Sequence, residues 1–575
     1  MDATKNAWVV LEELDGCAPG EMHTVKRDGH QLVAGRDEDG VPFALDNRCP
    51  HEGYPLAQGE LKGASLTCCW HNWKFDVGSG ACTLGGEAVR HYPTRESNGR
   101  VEVDLSDPEP EALWPALLAS FEEGIWKHEN GRALRDGARL IQAGYDVRSL
   151  AIEVARIDAR YAEYGSGHAL PVAADSLRLA AGLEGAQKLE AVAIAIDMAG
   201  ESITRLPRRE LAEPIAGCAA DALRAAVEAE DAPRAEGLLL GAIDAGVPRA
   251  EIDKWFFGVL ADHFLNFGHQ LIYLVKAQEL LAGTDTDAWR EIYAGMLNGI
   301  VTGTREDTLP YWVGHQSRLL ALDPELVELA AHTNAAPDFC AATFRAAVLD
   351  GSAAVAFCAV ERALREGVAP ERVAHALVIA AAERFARFDP AIDENPELAE
   401  TWLWASHRFT HAAAVRHAVE RWNDPRRWRL LFHSAAFVNL GRPMDGAAGL
   451  PDAAGDGSAA SVMDALARQD PEAAVACAIA FLASDAALEE LESPLHDLLL
   501  ADPLVRPIFV AHAVKTLLAA LEEHRALAGA DGADLPLLAS LRFLATPHSE
   551  RRVRQLVNTS IRWVVEGQIP RKLTQ

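Results

Sequence analysis

The sequence predicts an α+β, multidomain fold: a small antiparallel β domain over residues 1–107, then a large all-α domain built of helical repeats. Three observations predict it. Residues 6–106 alternate polar and apolar between frequent turns. From about Leu113 alanine, leucine, glutamate and arginine dominate, with apolar residues three and four apart. Related segments then recur at fixed spacings in the second part.

Met1 to Asn6 is polar and runs straight into the strand-like Trp8-Val9-Val10-Leu11, so no secretory leader is expected. Stretches such as "HQLVAGRDEDGVPFALD" read as strands joined by tight turns, and Asn98-Gly99 between alternating runs predicts a hairpin. Asp107-Pro108-Glu109-Pro110 marks an extended linker over 108–112, because proline disfavours helix in the residue before it. Beyond it, runs such as "LEAVAIAIDMAGESI" predict helix after helix, broken by glycine-rich stretches at 446–461 and 528–535. The helical part also aligns with itself. Gly167-His168 precedes Gly268-His269 by 101 residues (269 − 168), and His411 precedes His512 by the same interval (512 − 411). Phe385 and Phe388 match Phe264 and Phe267, with Pro390 where His269 stands. A duplicated unit is expected, with halves at 113–340 and 341–575.

Composition narrows the function. With 575 residues, 49% of them hydrophobic, the chain is long enough for several buried cores. A net charge of −30 argues against nucleic-acid binding, which needs a basic surface. No apolar run approaches the roughly 20 residues of a membrane helix, so no membrane partner is expected. Nine cysteines, thinly spread, suit a reducing compartment, and a cytoplasmic location is expected.

The chemistry concentrates in Cys49-Pro50-His51 and, sixteen residues on, Cys68-Cys69-Trp70-His71. Each loop offers one thiolate and one imidazole. Two sulfurs and two nitrogens could hold a tetrahedral zinc. A structural zinc site normally pairs Cys with Cys and His with His, whereas mixed loops suit a [2Fe-2S] cluster with Cys49 and Cys68 on one iron and His51 and His71 on the other. Pro50 stiffens the first loop and Gly53 permits a tight backbone there. After the second pair, "WHNWKFDVGSG" alternates like a strand and enters a glycine turn.

These loops and that run resemble the Rieske domains of ferredoxins and oxygenases, over about residues 6–106. The resemblance implies a [2Fe-2S] cluster on Cys49, His51, Cys68 and His71, with a potential of roughly −150 to +300 mV. Rieske proteins of respiratory bc complexes carry a further cysteine in each loop. Here the first loop has none and Trp70 fills the second position, which implies the ferredoxin or oxygenase type. Cys69, without a partner in the other loop, is expected to be a packed thiol.

In the helical part His168, His269, His411 and His512 each fall at or near the start of an apolar helix. Pseudo-symmetric packing could bring them to one axis as ligands of a second iron. The alternative is an inherited helix-start feature with each imidazole bonded to backbone. Rieske oxygenases hold their catalytic iron on an Asp-x-x-His followed four or five residues later by His. That pattern is absent; Asp262-His263 with His269 comes nearest. The run "DHFLNFGHQLIY" resembles the helical questin-oxidase-like proteins over too short a stretch to carry residues across. No G-x-G-x-x-G, P-loop, H-E-x-x-H or G-x-S-x-G motif occurs, so an external reductase or ferredoxin is expected as electron donor. Two functions follow. One is a Rieske-type oxidoreductase passing electrons to a metal and oxygen site that oxidises a small molecule. The other is a non-catalytic carrier or redox sensor whose helices form a docking surface.

Overall fold

The computed structural model describes residues 8–217, 219–332, 338–395, 401–446, 449–501, 507–548 and 552–568. It divides into two compact units, Met1–Asp146 and Val147–Gln575.

The first unit opens with ten short strands. β1 (Trp8–Val10), β2 (Met22–Arg27), β3 (His30–Arg36) and β4 (Pro42–Asp46) precede the first cysteine loop. β5 (Glu60–Lys62) and β6 (Ser65–Thr67) lie between the loops, and β7 (Lys74–Asp76), β8 (Cys82–Leu84), β9 (Thr94–Ser97) and β10 (Arg100–Asp104) follow. They form three antiparallel sheets ordered β1-β10-β9, β2-β3-β4 and β5-β6-β7-β8. The hairpin at Asn98-Gly99 is present. Both residues take positive φ (53° and 77°), which a two-residue turn between right-twisted strands requires. In β10 Val101 and Val103 face inward while their neighbours face out, the alternation that made the strand legible. A second apolar cluster joins Val33, Phe43, Leu45, Leu56, Leu66, Phe75, Val77 and Val89 to Cys49 and Cys68. Both candidate sulfurs therefore sit in the core.

The boundary differs from the expected one. Residues after Asp104 are irregular and then turn at Pro110–Leu113, but α1 (Trp114–Trp126) and α2 (Asn130–Gln142) still belong to the first unit. The helices cross closely where Gly124 meets Ala133; a Cβ there would lie 3.1 Å from the Ala133 nitrogen. They are tied to the β domain by Glu87, which is 4% exposed and bound by Arg135 and Arg139 of α2. An ion pair between residues about fifty positions apart leaves no mark in local composition, so the linker at 108–112 does not end the unit.

The second unit is helical and compact as a whole, so 340/341 does not divide it into separate bodies. Helices from the two expected halves pack on one another: His269–Leu280 on Trp402–Arg421, and Ala169–Ala180 on Pro507–Ala526. Ion pairs lock their relative register. Lys276 binds Asp175 at 2.7 Å, Arg416 binds Glu523 at 2.6 Å, and Arg178 binds Glu522 at 2.9 Å. Among the described residues no helix is long and apolar enough to cross a membrane. Removing one partner of a buried pair strands the other charge, at about 3–5 kcal/mol. Glu523 is 1% exposed, and Glu420 still contacts Arg416 when it is gone. Glu523→Ala is therefore expected to destabilise the helical unit by about 3 kcal/mol, near the lower end of that range, in urea unfolding followed by far-UV circular dichroism.

Candidate metal centres

The two cysteine loops share one backbone design. In the first, the Cys49 amide donates to Tyr54 O (2.8 Å) and the Gly53 amide returns to Cys49 O (2.8 Å). In the second, the Cys68 amide donates to Trp73 O (2.8 Å) and the Asn72 amide returns to Cys68 O (3.2 Å). The closing residue of each takes positive φ, 76° at Gly53 and 59° at Asn72. Glycine enters that region freely and asparagine tolerates it.

Both loops thereby present cysteine inward and histidine outward. Cys49 and Cys68 are 4% and 1% exposed, whereas His51 is half-buried and His71 exposed. The imidazoles meet edge to face with Nδ1 atoms 3.1 Å apart. His51 is held by stacking on Trp73, at 4.7 Å between ring centres, and Tyr54 stacks on the exposed Trp70 at 4.1 Å. Burial pushes the Cys49 thiol up to about 11, against the pull of the His51 and Glu52 amides. A buried thiol of that kind becomes a thiolate when a metal is bound to it. Two enclosed sulfurs, backbone amides on one of them and two facing Nδ1 atoms fit an asymmetric diiron cluster with sulfurs inside and imidazoles outside.

Comparison with known proteins agrees with the geometry. Residues 7–94 match the family model described as the Rieske [2Fe-2S] domain. This part of the chain is a Rieske domain. A 4beta-methylsterol monooxygenase of Methylococcus capsulatus is 34% identical over 116 residues, 18% of this chain and 31% of that protein. The chloroplastic pheophorbide a oxygenase of Oryza sativa is 34% identical over 125 residues, 21% of this chain and 22% of that one. An oxygenase component of Rhodococcus rhodochrous 3-ketosteroid-9-alpha-monooxygenase is 44% identical over 111 residues, 17% and 28% respectively. Among solved structures, apo dicamba monooxygenase is 29% identical, with a TM-score of 0.17 over 18% of this chain and 34% of its own. The chain thus spans 22–34% of these relatives' lengths.

One expectation about the Rieske domain needs correction. Cys69 is not packed; its thiol is exposed. The loop turns Cys68 into the core and leaves Cys69 at the surface. No disulfide joins the described cysteines, as the missing loop cysteines imply.

The helical unit gathers four imidazoles: His168, His269, His407 and His512. Their ring centres lie 5.1 Å apart for His168 and His269, 4.1 Å for His269 and His407, 4.8 Å for His407 and His512, and 5.2 Å for His168 and His512. Ligand atoms of His168, His269 and His407 all fall within 4.8 Å of one another, and His407 Nε2 meets His512 Nε2 at 2.6 Å. Each of three rings is steered from its other nitrogen. His269 Nδ1 donates to Asn266 O (2.5 Å) and His512 Nδ1 to Ile508 O (2.6 Å), while Tyr273 OH lies 3.5 Å from His168 Nδ1. The Nε2 atoms of His168 and His269 are buried and have no hydrogen-bond partner. Burial holds all four rings in the neutral form, His269 near 3, and a neutral imidazole is the metal-binding form.

His411 is not in this group. Its place is taken by His407, one helical turn earlier on helix Trp402–Arg421. The interval from His407 to His512 is 105 residues (512 − 407), four more than the repeat interval, so both histidines lie on one helix stripe and spacing alone could not choose between them. His411 instead packs beneath Gly268, whose Cβ position its ring would overlap, and edge-on against Phe264. Nor do all four start helices. Of the four expected there, His168 and His269 do and His512 lies in the second turn of its helix, whereas His411 lies in the middle of Trp402–Arg421. The turn before His269 is unusual: Asn266, Phe267 and Gly268 all have positive φ, a costly conformation for the first two.

Sequence reading also missed two groups around the cluster. Asp158, buried and pushed up to about 7 by burial, accepts the Gly167 amide at 2.5 Å and so anchors the residue before His168. Lys515, one turn from His512, is buried with no partner for Nζ, and burial pulls it down to about 7. The local signal for Asp158 was the Gly-His pair it supports; for Lys515 there was none. In the Rieske domain, replacing imidazole by thiolate removes the ligation that raises the potential. Potentiometry of the reconstituted His71→Cys variant is expected to give a midpoint falling towards roughly −400 mV, with loss of the mixed-ligand visible spectrum.

Proposed function

We propose that this chain is a Rieske-dependent oxidoreductase. An external reductase or ferredoxin supplies electrons one at a time to the [2Fe-2S] cluster, and a second metal centre on His168, His269, His407 and His512 uses them to oxidise a small molecule. The observation that carries the reading is the convergence of four imidazoles, two of which, His168 and His269, present a buried Nε2 without a hydrogen-bond partner. Buried polar atoms are almost always paired, and leaving one unmade costs about 1–3 kcal/mol. Two such nitrogens facing the Nε2 pair of His407 and His512 make sense as one donor set. All-nitrogen imidazole sites suit iron, copper, nickel or zinc; a Rieske domain in the same chain favours a redox metal, and iron foremost.

The chain's own residues would act as follows. Cys49 and Cys68 keep the sulfur-bound side of the cluster in the core, so His51 and His71 form its accessible edge for electron exchange. Asn266 O, Ile508 O and Tyr273 OH fix which imidazole nitrogen faces the second centre. The surrounding helices exclude bulk water, and the second metal would supply the oxygen-activating chemistry. The matched relatives bear the names monooxygenase and oxygenase, which supports an oxidative reaction. Their similarity to this chain lies in a segment covering 17–21% of it, so it supports electron delivery more directly than any substrate.

Iron and acid-labile sulfide measured on anaerobically prepared protein test the reading. Iron is expected to exceed sulfide. The excess should vanish in His269→Ala and His407→Ala but persist in His411→Ala, with the Rieske spectrum unchanged in all three. Equal iron and sulfide in the parent protein would leave an electron carrier only.

A further inference from the structure

The helix pair α1–α2 lies beyond the segment matching the Rieske family yet packs within the same unit. One face of α2 carries Arg132, Arg135, Asp136 and Arg139, spaced as neighbours on a helix surface. Arg135 grips the buried Glu87 with two bonds, Nε to Oε1 at 2.6 Å and Nη2 to Oε2 at 2.9 Å. Arg139 reaches three acceptors. Its Nη1 donates to Asp136 Oδ1 (2.7 Å) and Glu87 Oε1 (3.4 Å), and its Nη2 to Pro50 O (3.5 Å). Pro50 is the single residue between Cys49 and His51. The same helix backs the histidine edge. A Cβ on Gly86 would lie 3.2 Å from the Trp73 ring and 3.4 Å from Arg132 Cδ, and Trp73 stacks on His51.

We propose that α2 belongs to the redox centre, with Arg139 as a positioning residue that sets the reduction potential through its charge beside the first ligand loop and Glu87 as the opposing charge. The proposal rests on the Rieske reading of residues 7–94 and is independent of the helical metal centre. Reduction adds one electron to the cluster. A fixed positive charge nearby stabilises the reduced form and a negative one destabilises it, and neighbouring charge is among the main determinants of such potentials. Glu87 and Asp136 are 4% and 1% exposed, so solvent screens this group less than a surface pair.

Redox titration of the cluster's own visible signal in the full-length, cluster-loaded chain tests the proposal. Arg139→Gln is expected to lower the midpoint potential, Glu87→Gln to raise it, and Arg139→Lys, which keeps the charge, to stay nearer the parent than Arg139→Gln. Asp136 keeps a bond from Ser120 when Arg139 is replaced, and Arg135 and Arg139 are solvent-accessible enough to tolerate a neutral residue at 87. Should Arg139→Gln fail to hold a cluster, Glu87→Gln and Arg139→Lys decide. Opposite shifts for the acidic and basic positions support the assignment. Unchanged potentials, or a fall at both positions, overturn it and leave α2 a purely structural cap.

Discussion

Donor side chains held in one orientation, the paired cysteines and histidines of the Rieske loops and four imidazoles of the helical unit, set the terms for what surrounds them. A buried polar atom without a partner is costly, as Nε2 of His168 and His269 are, so the chain around such atoms must be rigid. In the Rieske domain the rigidity comes from two backbone loops that close on themselves through Gly53 and Asn72. In the helical unit it comes from carbonyls and a hydroxyl that engage one nitrogen of a ring and aim the other. The strained turn at Asn266–Gly268 fits this account. It points the Asn266 carbonyl at His269 and brings Gly268 against the His411 ring, a contact that no side chain larger than hydrogen would allow.

Register in the helical unit is held about two to three turns farther along the same helices. Lys276, on the His269 helix, pairs with Asp175 on the helix that His168 caps, and Glu523, on the His512 helix, pairs with Arg416 on the His407 helix. Such pairs add little net stability over apolar packing, because desolvation offsets their attraction. They penalise slippage instead: a helix displaced by one turn would lose its partner and expose a bare charge to the core. That penalty keeps four rings from four helices at 4–5 Å separations.

What could be read from the sequence follows from how local each feature is. The cysteine–histidine loops, the Asn98-Gly99 hairpin and the change from alternation to helical periodicity each involve a few neighbouring residues, and all were legible. The repeat spacing led to three of the four clustered histidines but chose His411 over His407, because both lie on the same helix stripe and only the packing of Gly268 decides. The place of α1 and α2 in the first unit was invisible, since it depends on Glu87 meeting arginines about fifty residues away. Cys69 was misjudged for a simpler reason: the loop that turns Cys68 inward leaves Cys69 at the surface.

The Rieske cluster site and the proposed helical centre differ in how much protein each needs. Cys49 to His71 is a short stretch whose backbone nearly suffices to shape a cluster site, so the same domain can serve many partners. A centre on four helices spread from His168 to His512 needs the whole bundle, with its ion pairs and its strained turn, before a single nitrogen is aimed. Relatives resemble this chain over the portable electron-delivery module, under a quarter of its length. The proposed second site is tied to its own fold. The helix pair α1–α2 lies beyond the segment that matches the family yet within the same unit, placing charge at Pro50 without altering any ligand. Potential can therefore be adjusted there with the cluster loops and the helical unit left as they are.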